Sequence, residues 1–403
     1  MSLSTIADGS QVKPFRILLI IDTYPPVLGG SEIEAQRVAS ALIRRGHQVR
    51  VLCAGGPPMP PVRDWTDPEG VPVRILTRHS RGVWKDRLFA LEVAWAIWLG
   101  RDHYDLVYFL MQGLQVAIGL PLARLLGKPS ILKIAGSGVI GFMRRSRFGR
   151  IELDWMQKWK VPLMVLNEGM IEEAIADGFS LDQLIWTPNP VDIEMFRPAL
   201  AGEKEQWREK HGIPNDAAVV VYVGRLAPEK GLQGLLRGFG VAMKSVPQAM
   251  LVLVGDGPTR PLLEEMARSI DPEMRLIRFA GRAPIAEVPS WLRASDMFAL
   301  TSPSEGFPCA LVEAMSAGLP SVVSSIPANL QLIDDTVHGL TVQWDDAESI
   351  GRAIVRLTED PGLRNSMGQE ARARAVANYS TETVLSFYEK TFSSVIASAL
   401  SVS

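Results

Sequence analysis

The sequence predicts an α/β protein built from two doubly wound, Rossmann-like domains. Three observations predict it. The chain has 403 residues, more than the roughly 250–300 at which a single core stops growing. Short apolar runs alternate with helical patterns, which is the βαβ rhythm of a parallel sheet. The rhythm then starts afresh after a stretch at 187–212 that carries prolines 188, 190 and 198.

Residues 15–22 open the first domain as a run of Ile and Leu, as in a strand covered on both faces. A glycine-bearing loop at 25–31 follows. Ala35, Val38, Ala39, Leu42 and Ile43 then fall at helical spacing, and Gly46 ends that helix. Further strands are read at 48–53, 105–110, 130–134 and 163–166, and in the second domain at 219–223, 250–254, 276–280, 297–300 and 321–324. The hinge is expected near 199–202, dividing 1–198 from 199–383. A last helix is expected at about 381–397. Ligands of such folds bind beyond the carboxyl ends of the strands, so chemistry is expected on the loops there, in a cleft between the two domains.

Composition narrows the function. With 47% hydrophobic residues and a net charge of −2, the chain fills its cores and lacks the basic excess of nucleic-acid binders. Cys53 and Cys309 make no disulfide framework and no Cys-x-x-Cys pair, which suits a reducing cytoplasm. The richest uncharged run, 88–100, is broken by Glu92 and falls short of the ~18–20 residues of a spanning helix. Residues 1–13 read as a polar tail with no leader pattern.

Four motifs stand on loops after strands. Gly224-Arg225-Leu226-Ala227-Pro228-Glu229-Lys230-Gly231 offers two cations and a helix start, which suits a diphosphate; a surface turn with two solvated cations explains the spacing equally well. Ser302-Pro303-Ser304-Glu305-Gly306-Phe307-Pro308 puts a carboxylate where sugar hydroxyls can donate to it. Glu313 follows among apolar neighbours and needs partners, ribose hydroxyls being one choice. Spacing alone slightly favours a capping Glu305 and an exposed Glu313. Gly306 permits close approach of a ligand to the backbone. Gly29-Gly30-Ser31-Glu32 lacks the full dinucleotide fingerprint. Gly255-Asp256-Gly257-Pro258 is read as a structural turn.

This ordered set, with Glu305 and Glu313 in a Glu-x7-Glu frame and Glu313-Ala314-Met315 leading to Gly318 and Pro320, resembles glycosyltransferase family 4, a retaining family with the GT-B fold. Asn189-Pro190-Val191-Asp192 resembles the family's segment before the hinge. The resemblance implies an N-terminal acceptor domain, a C-terminal donor domain, and a final helix, 384–403, that crosses back onto the first domain. It implies that Arg225 and Lys230 hold the donor diphosphate, that Glu305 contacts the sugar, and that Glu313 holds the ribose. Gly306 and Phe307 bring amides near sugar and phosphate, Arg282 lies near the base, and Gly30 borders phosphate or acceptor. Arg225, Lys230 and Glu305 are the catalytic set. Two departures stand out. The family histidine is absent from Lys133-Ile134-Ala135-Gly136-Ser137-Gly138, where Ser137 and the glycine amides are its replacement or the sugar is held differently. The family's Gly-Gly-Pro-Glu-like loop reads Ile326-Pro327-Ala328-Asn329.

No metal or cofactor is implied. No His/Cys cluster has ligand spacing, and Asp334-Asp335 and Asp345-Asp346 read as solvated turns. Arg144, Arg145, Arg147 and Arg150 beside Phe142 and Phe148, and Trp84, Trp95 and Trp98 near Arg81 and Arg87, suit an anionic membrane surface and a glycan or lipid-linked acceptor; a core helix and a solvated arginine loop account for them as well. Two alternatives stay open: a nucleotide-sugar 2-epimerase of the same architecture, and a non-catalytic nucleotide-sugar binding protein.

Overall fold

Runs such as Leu106–Leu110, buried at every position, place strands between helix layers, and the computed structural model arranges them in two parallel sheets. It describes residues 13–27, 29–56, 59–60, 62–77, 83–134 and 136–400. The tail 1–12, Arg81 and Ala135, and the side chain of Trp84, lie outside the described residues.

The first unit takes Met1–Pro190 with Thr381–Ser403, and the second Val191–Ser380. The first sheet contains β1 (Arg16–Ile20), β2 (Gln48–Ala54), β3 (Asp64–Thr66), β4 (Pro72–Leu76), β5 (Leu106–Leu110), β6 (Ser130–Lys133), β7 (Leu163–Val165) and β8 (Leu184–Trp186), in the order β3-β4-β2-β1-β5-β6-β7-β8. Only β3 runs antiparallel to its neighbour. The second contains β9 (Ala218–Val223), β10 (Ala249–Val254), β11 (Ile277–Gly281), β12 (Met297–Leu300), β13 (Ser321–Ser324) and β14 (Gly339–Val342), in the order β11-β10-β9-β12-β13-β14. In each sheet the chain winds outward one way and then the other. The reversal falls between β1 and β5 and between β9 and β12, and there the loops diverge and leave a crevice.

The unit boundary corrects the expected one. Residues 191–198 belong to the second unit, not the first. Arg372 donates to the Ile193 and Phe196 carbonyls at 3.0 and 3.3 Å, Arg293 donates to Met195 O at 2.7 Å, and Val191 N–H donates to Tyr379 O at 2.8 Å. These anchors come from distant helices, so local proline punctuation could not reveal them.

The final helix runs Thr381–Leu400 and packs in the first unit's core through Val384, Leu385, Tyr388 and Phe392. A buried polar knot fixes it. Lys133, fully buried, pairs with Glu34 and donates to Asn189 Oδ1 at 2.8 Å and the Tyr388 hydroxyl oxygen at 2.9 Å. Tyr388 in turn donates to Glu34 at 2.8 Å. Glu389 pairs with Arg45 and lies 2.9 Å from His47 Nε2.

Candidate functional site

The second unit's site is built from the loops flanking its switch point. After β9 the chain turns at Gly224, and the Tyr222 hydroxyl donates to Arg225 O at 2.9 Å. A 3₁₀ turn, Pro228–Lys230, follows, then Gly231 caps the helix Leu232–Ala242. Gly231 has φ +62°, and a Cβ there would lie 2.3 Å from Thr301 O. Only glycine lets this turn sit against the loop after β12.

That close approach joins the two motifs. Lys230 Nζ lies 2.7 and 2.9 Å from the two carboxylate oxygens of Glu305. The carboxylate is 9% exposed and the lysine side chain 22%, so the pair is shielded from bulk water on most sides. Residues 75 positions apart thus meet at the mouth of the switch point.

The rest of the set is placed around them. Arg225 reaches outward and pairs with Glu229, its side chain 66% exposed; an ion pair this exposed adds about 0–1 kcal/mol. Phe307 is buried and meets Tyr379 edge to face at 6.0 Å. Glu313 is 7% exposed in the helix Cys309–Ser316, which corrects the solvent-exposed placement that spacing favoured: Leu311, Val312 and Ala314 carry it into the core. Pro308 occupies the cap position of that helix. Arg282 follows β11 and is exposed.

The Gly255-Asp256-Gly257-Pro258 turn braces the cationic loop. Leu226 N–H donates to Asp256 O at 3.0 Å, and Thr259 N–H to Leu226 O at 3.1 Å. Cβ atoms at Gly255 and Gly257 would lie 1.8 Å from Gly224 O and 2.3 Å from Leu226 O. The third loop, around Pro327–Leu330, is tied in by Asn329, whose Nδ2 donates to Ser324 O at 2.9 Å, while Ser324 donates to Ser302 O at 2.5 Å.

In the first unit, Gly30 opens the helix Gly30–Arg44. Glu32 folds over that helix start and accepts from the Thr23 hydroxyl at 2.5 Å. The glycine loop after β6 has a commitment of its own: the amides of Gly138 and Gly141 donate to Glu173 at 2.9 Å each. Across the first switch point, Gln115 Nε2 donates to Asp22 Oδ1 at 2.7 Å. Burial, aided by Asp86 and Glu32, pushes the Asp22 carboxyl up to about 6. Burial likewise pushes Glu152 up to about 8, against a hydrogen bond from Gly113. Sequence reading missed Asp22, Gln115 and Glu152. Their signal was a polar residue just after β1 and another in the first turn of the helix Leu114–Leu125, with Glu152 hidden in an amphipathic helix, Arg147–Lys158.

Two parallel-sheet domains of this topology have the GT-B architecture. Comparison with known proteins makes the class specific. A family model described as glycosyl transferases group 1 matches residues 203–374, and a glycosyl transferase 4-like domain matches 29–190. The chain is 29% identical over 296 residues, 70% of it and 73% of the relative, to a UDP-Gal:alpha-D-GlcNAc-diphosphoundecaprenol alpha-1,3-galactosyltransferase of Escherichia coli. It is 23% identical to an uncharacterized glycosyltransferase of Methanocaldococcus jannaschii over 92% of this chain and 95% of that one. Among solved structures, HepE of Anabaena with UDP and glucose superposes with TM-score 0.77 at 19% identity, covering 94% of this chain and all of that one. Sucrose-phosphate synthase of Thermosynechococcus elongatus reaches 0.79 at 20%, covering 95% and 100%. The chain belongs to the family-4 type of glycosyltransferases.

Proposed function

We propose that this glycosyltransferase moves a hexosyl group from a nucleotide-diphosphate sugar to an acceptor hydroxyl, with retention at the anomeric carbon and no metal ion. The observation that carries the reading is the Lys230–Glu305 contact, which sets a cation for phosphate beside a carboxylate for sugar. The second unit is the donor side and the first the acceptor side.

Lys230 and Arg225 neutralise charge growing on the leaving diphosphate as its bond to the anomeric carbon breaks. Glu305 holds the sugar and aims the Lys230 ammonium. Glu313 takes the ribose hydroxyls, the Gly306 and Phe307 backbone lies along sugar and phosphate, and Arg282 lies by the base. Gly30 borders phosphate or acceptor. The departing phosphate oxygen takes the acceptor proton, so the new bond forms on the face the leaving group vacates. The ammonium and guanidinium supply the positive charge. Support for a nucleotide sugar comes from HepE, solved with UDP and glucose, and from the galactosyltransferase relative, whose UDP-linked donor and diphosphoundecaprenol acceptor favour a lipid-linked or cell-surface glycan here.

The protein works in the cytoplasm, peripheral to the inner face of the membrane. Among the described residues no helix is long and apolar enough to cross it. Phe142 and Phe148 are 69% and 63% exposed beside exposed Arg145, Arg147 and Arg150. Arg144 is excluded from this patch, since Asp177 and Asp154 each hold it at 2.6 Å. Changing Arg145, Arg147 and Arg150 to Ser is expected to reduce pelleting with anionic liposomes; equal pelleting removes the membrane reading.

A thermal-shift screen of nucleoside diphosphates and nucleotide sugars, followed by product analysis, tests the reaction. Stabilisation by one nucleotide class and acceptor-dependent release of nucleoside diphosphate are expected. Appearance of an epimeric sugar instead, or binding with no turnover, contradicts transfer.

A further inference from the structure

A parallel sheet is covered on both faces, so its strands read apolar throughout. The β4-β2-β1 half of the first unit's sheet breaks this pattern on one face. Leu19, Val51 and Val73 point into the main core. The opposite face carries Arg16 and Leu18 on β1, Arg50 and Leu52 on β2, and Arg74 and Leu76 on β4. The register sets Leu18 beside Arg50, Leu52 beside Arg74 and Ala54 beside Leu76. The face is therefore apolar toward the carboxyl ends of the strands and cationic toward their starts.

A groove of about 1070 Å³ runs over this face. Leu18, Leu52 and Leu76, each buried, lie at its base. Its wall is the helix Val83–Leu99, which lines the groove with Leu88, Leu91, Trp95 and Leu99. These four lie three or four residues apart, one stripe of a helix, and are 45%, 58%, 58% and 53% exposed. Phe89, Val93 and Ile97 of the same helix are buried. Trp98 meets Trp95 at 5.1 Å with the ring planes 34° apart and carries the apolar lip outward.

The charges in the groove are unevenly matched. Arg74 lies 2.7 Å from Asp64, Arg16 2.6 Å from Asp105 and Arg63 3.9 Å from Glu92. Glu92 is already engaged by the Thr77 amide and hydroxyl at 2.6 and 2.8 Å. The exposed Arg50 side chain is in no ion pair of its own among the described residues; its charge acts on Asp64, which Arg74 already holds. A strand-borne guanidinium above a leucine floor, with an indole wall, suits an anion attached to hydrocarbon.

We propose that this groove seats an acidic lipid, its chain along the exposed stripe Leu88, Leu91, Trp95 and Leu99, and its phosphate on Arg50. The proposal goes beyond sugar transfer. It uses none of Arg225, Lys230 and Glu305, and its test reads binding alone, so it stands or falls separately from the transferase reading.

Calorimetric titration of the full chain with monododecyl phosphate, below its micelle concentration, tests it. Saturable binding is expected. Arg50→Glu and, separately, Leu91→Glu are expected to weaken it at least tenfold, while dodecyl maltoside and inorganic phosphate bind at least tenfold more weakly than the parent amphiphile. Both positions are solvent-exposed, and an unchanged melting temperature confirms that each variant is folded. Unchanged affinity in Arg50→Glu, equal binding of dodecyl maltoside, or equal binding of inorganic phosphate overturns the proposal. So does a concentration-dependent dimer that Leu91→Glu dissolves.

Discussion

Lys230 can donate three hydrogen bonds, and Glu305 accepts from it through both carboxylate oxygens. A diphosphate arriving here meets an ammonium already aimed. Lys230→Ala is therefore expected to lower kcat by about 10²–10³-fold, the usual effect of removing one preorganised donor to developing charge. Glu305→Gln is expected to lower kcat more than it changes KM for the donor; full transfer activity in that variant contradicts the sugar contact. Glu152 gives a different kind of prediction. Its carboxyl is held at about 8 by burial, so the native state keeps a proton that the unfolded chain releases above the ordinary carboxylate range. Native binding of the extra proton makes stability fall as pH rises toward 8, and Asp22, raised to about 6, adds a slope of the same sign at lower pH. Glu152→Gln is expected to flatten the decline and raise the urea midpoint at pH 8.5 while changing it little at pH 5. A steeper decline in the variant contradicts the buried-acid account.

At the scale of elements, the site rests on two interlocked glycine turns. Gly255 has φ +147°, and its Cβ would meet Gly224 O at 1.8 Å. Gly255→Ala is expected to destabilise the second unit by about 2–3 kcal/mol or more, because the clash adds to a strained backbone, and to lower activity with it; chemical unfolding followed by fluorescence reads the loss. Strands buried on both faces were legible as apolar runs: β5, β9, β10 and β12 fall where the pattern puts them. β3 and β8 are three residues each, too short to set a period. β4 starts at a proline and carries Arg74, and β14 starts at Gly339, so neither reads as a buried strand. The motifs Arg225–Lys230 and Glu305–Phe307 were legible because turn chemistry and charge share one loop. Their contact was not, since it is made by strand order and not by nearness in sequence. The acid cluster at Asp22 and Glu152 stayed hidden for the same reason.

For the whole molecule, each unit carries its own sheet, and the last helix returns to the first. Lys133 illustrates how the return is secured: it lies at the end of β6, yet it binds Glu34, Asn189 and Tyr388. Lys133→Met leaves Glu34 buried without its cation and is expected to cost about 3–5 kcal/mol, with much of it recovered in Lys133→Met/Glu34→Leu, since an apolar pair often replaces a buried ion pair without loss. Urea unfolding of the single and double variants checks this. The larger claim concerns charge on the second unit. Neutralising both cations, in Arg225→Gln/Lys230→Gln, and following acceptor-dependent release of nucleoside diphosphate tests it most directly. The account requires turnover to fall by at least about 10³-fold in a protein that still unfolds cooperatively; turnover within threefold of the parent contradicts it.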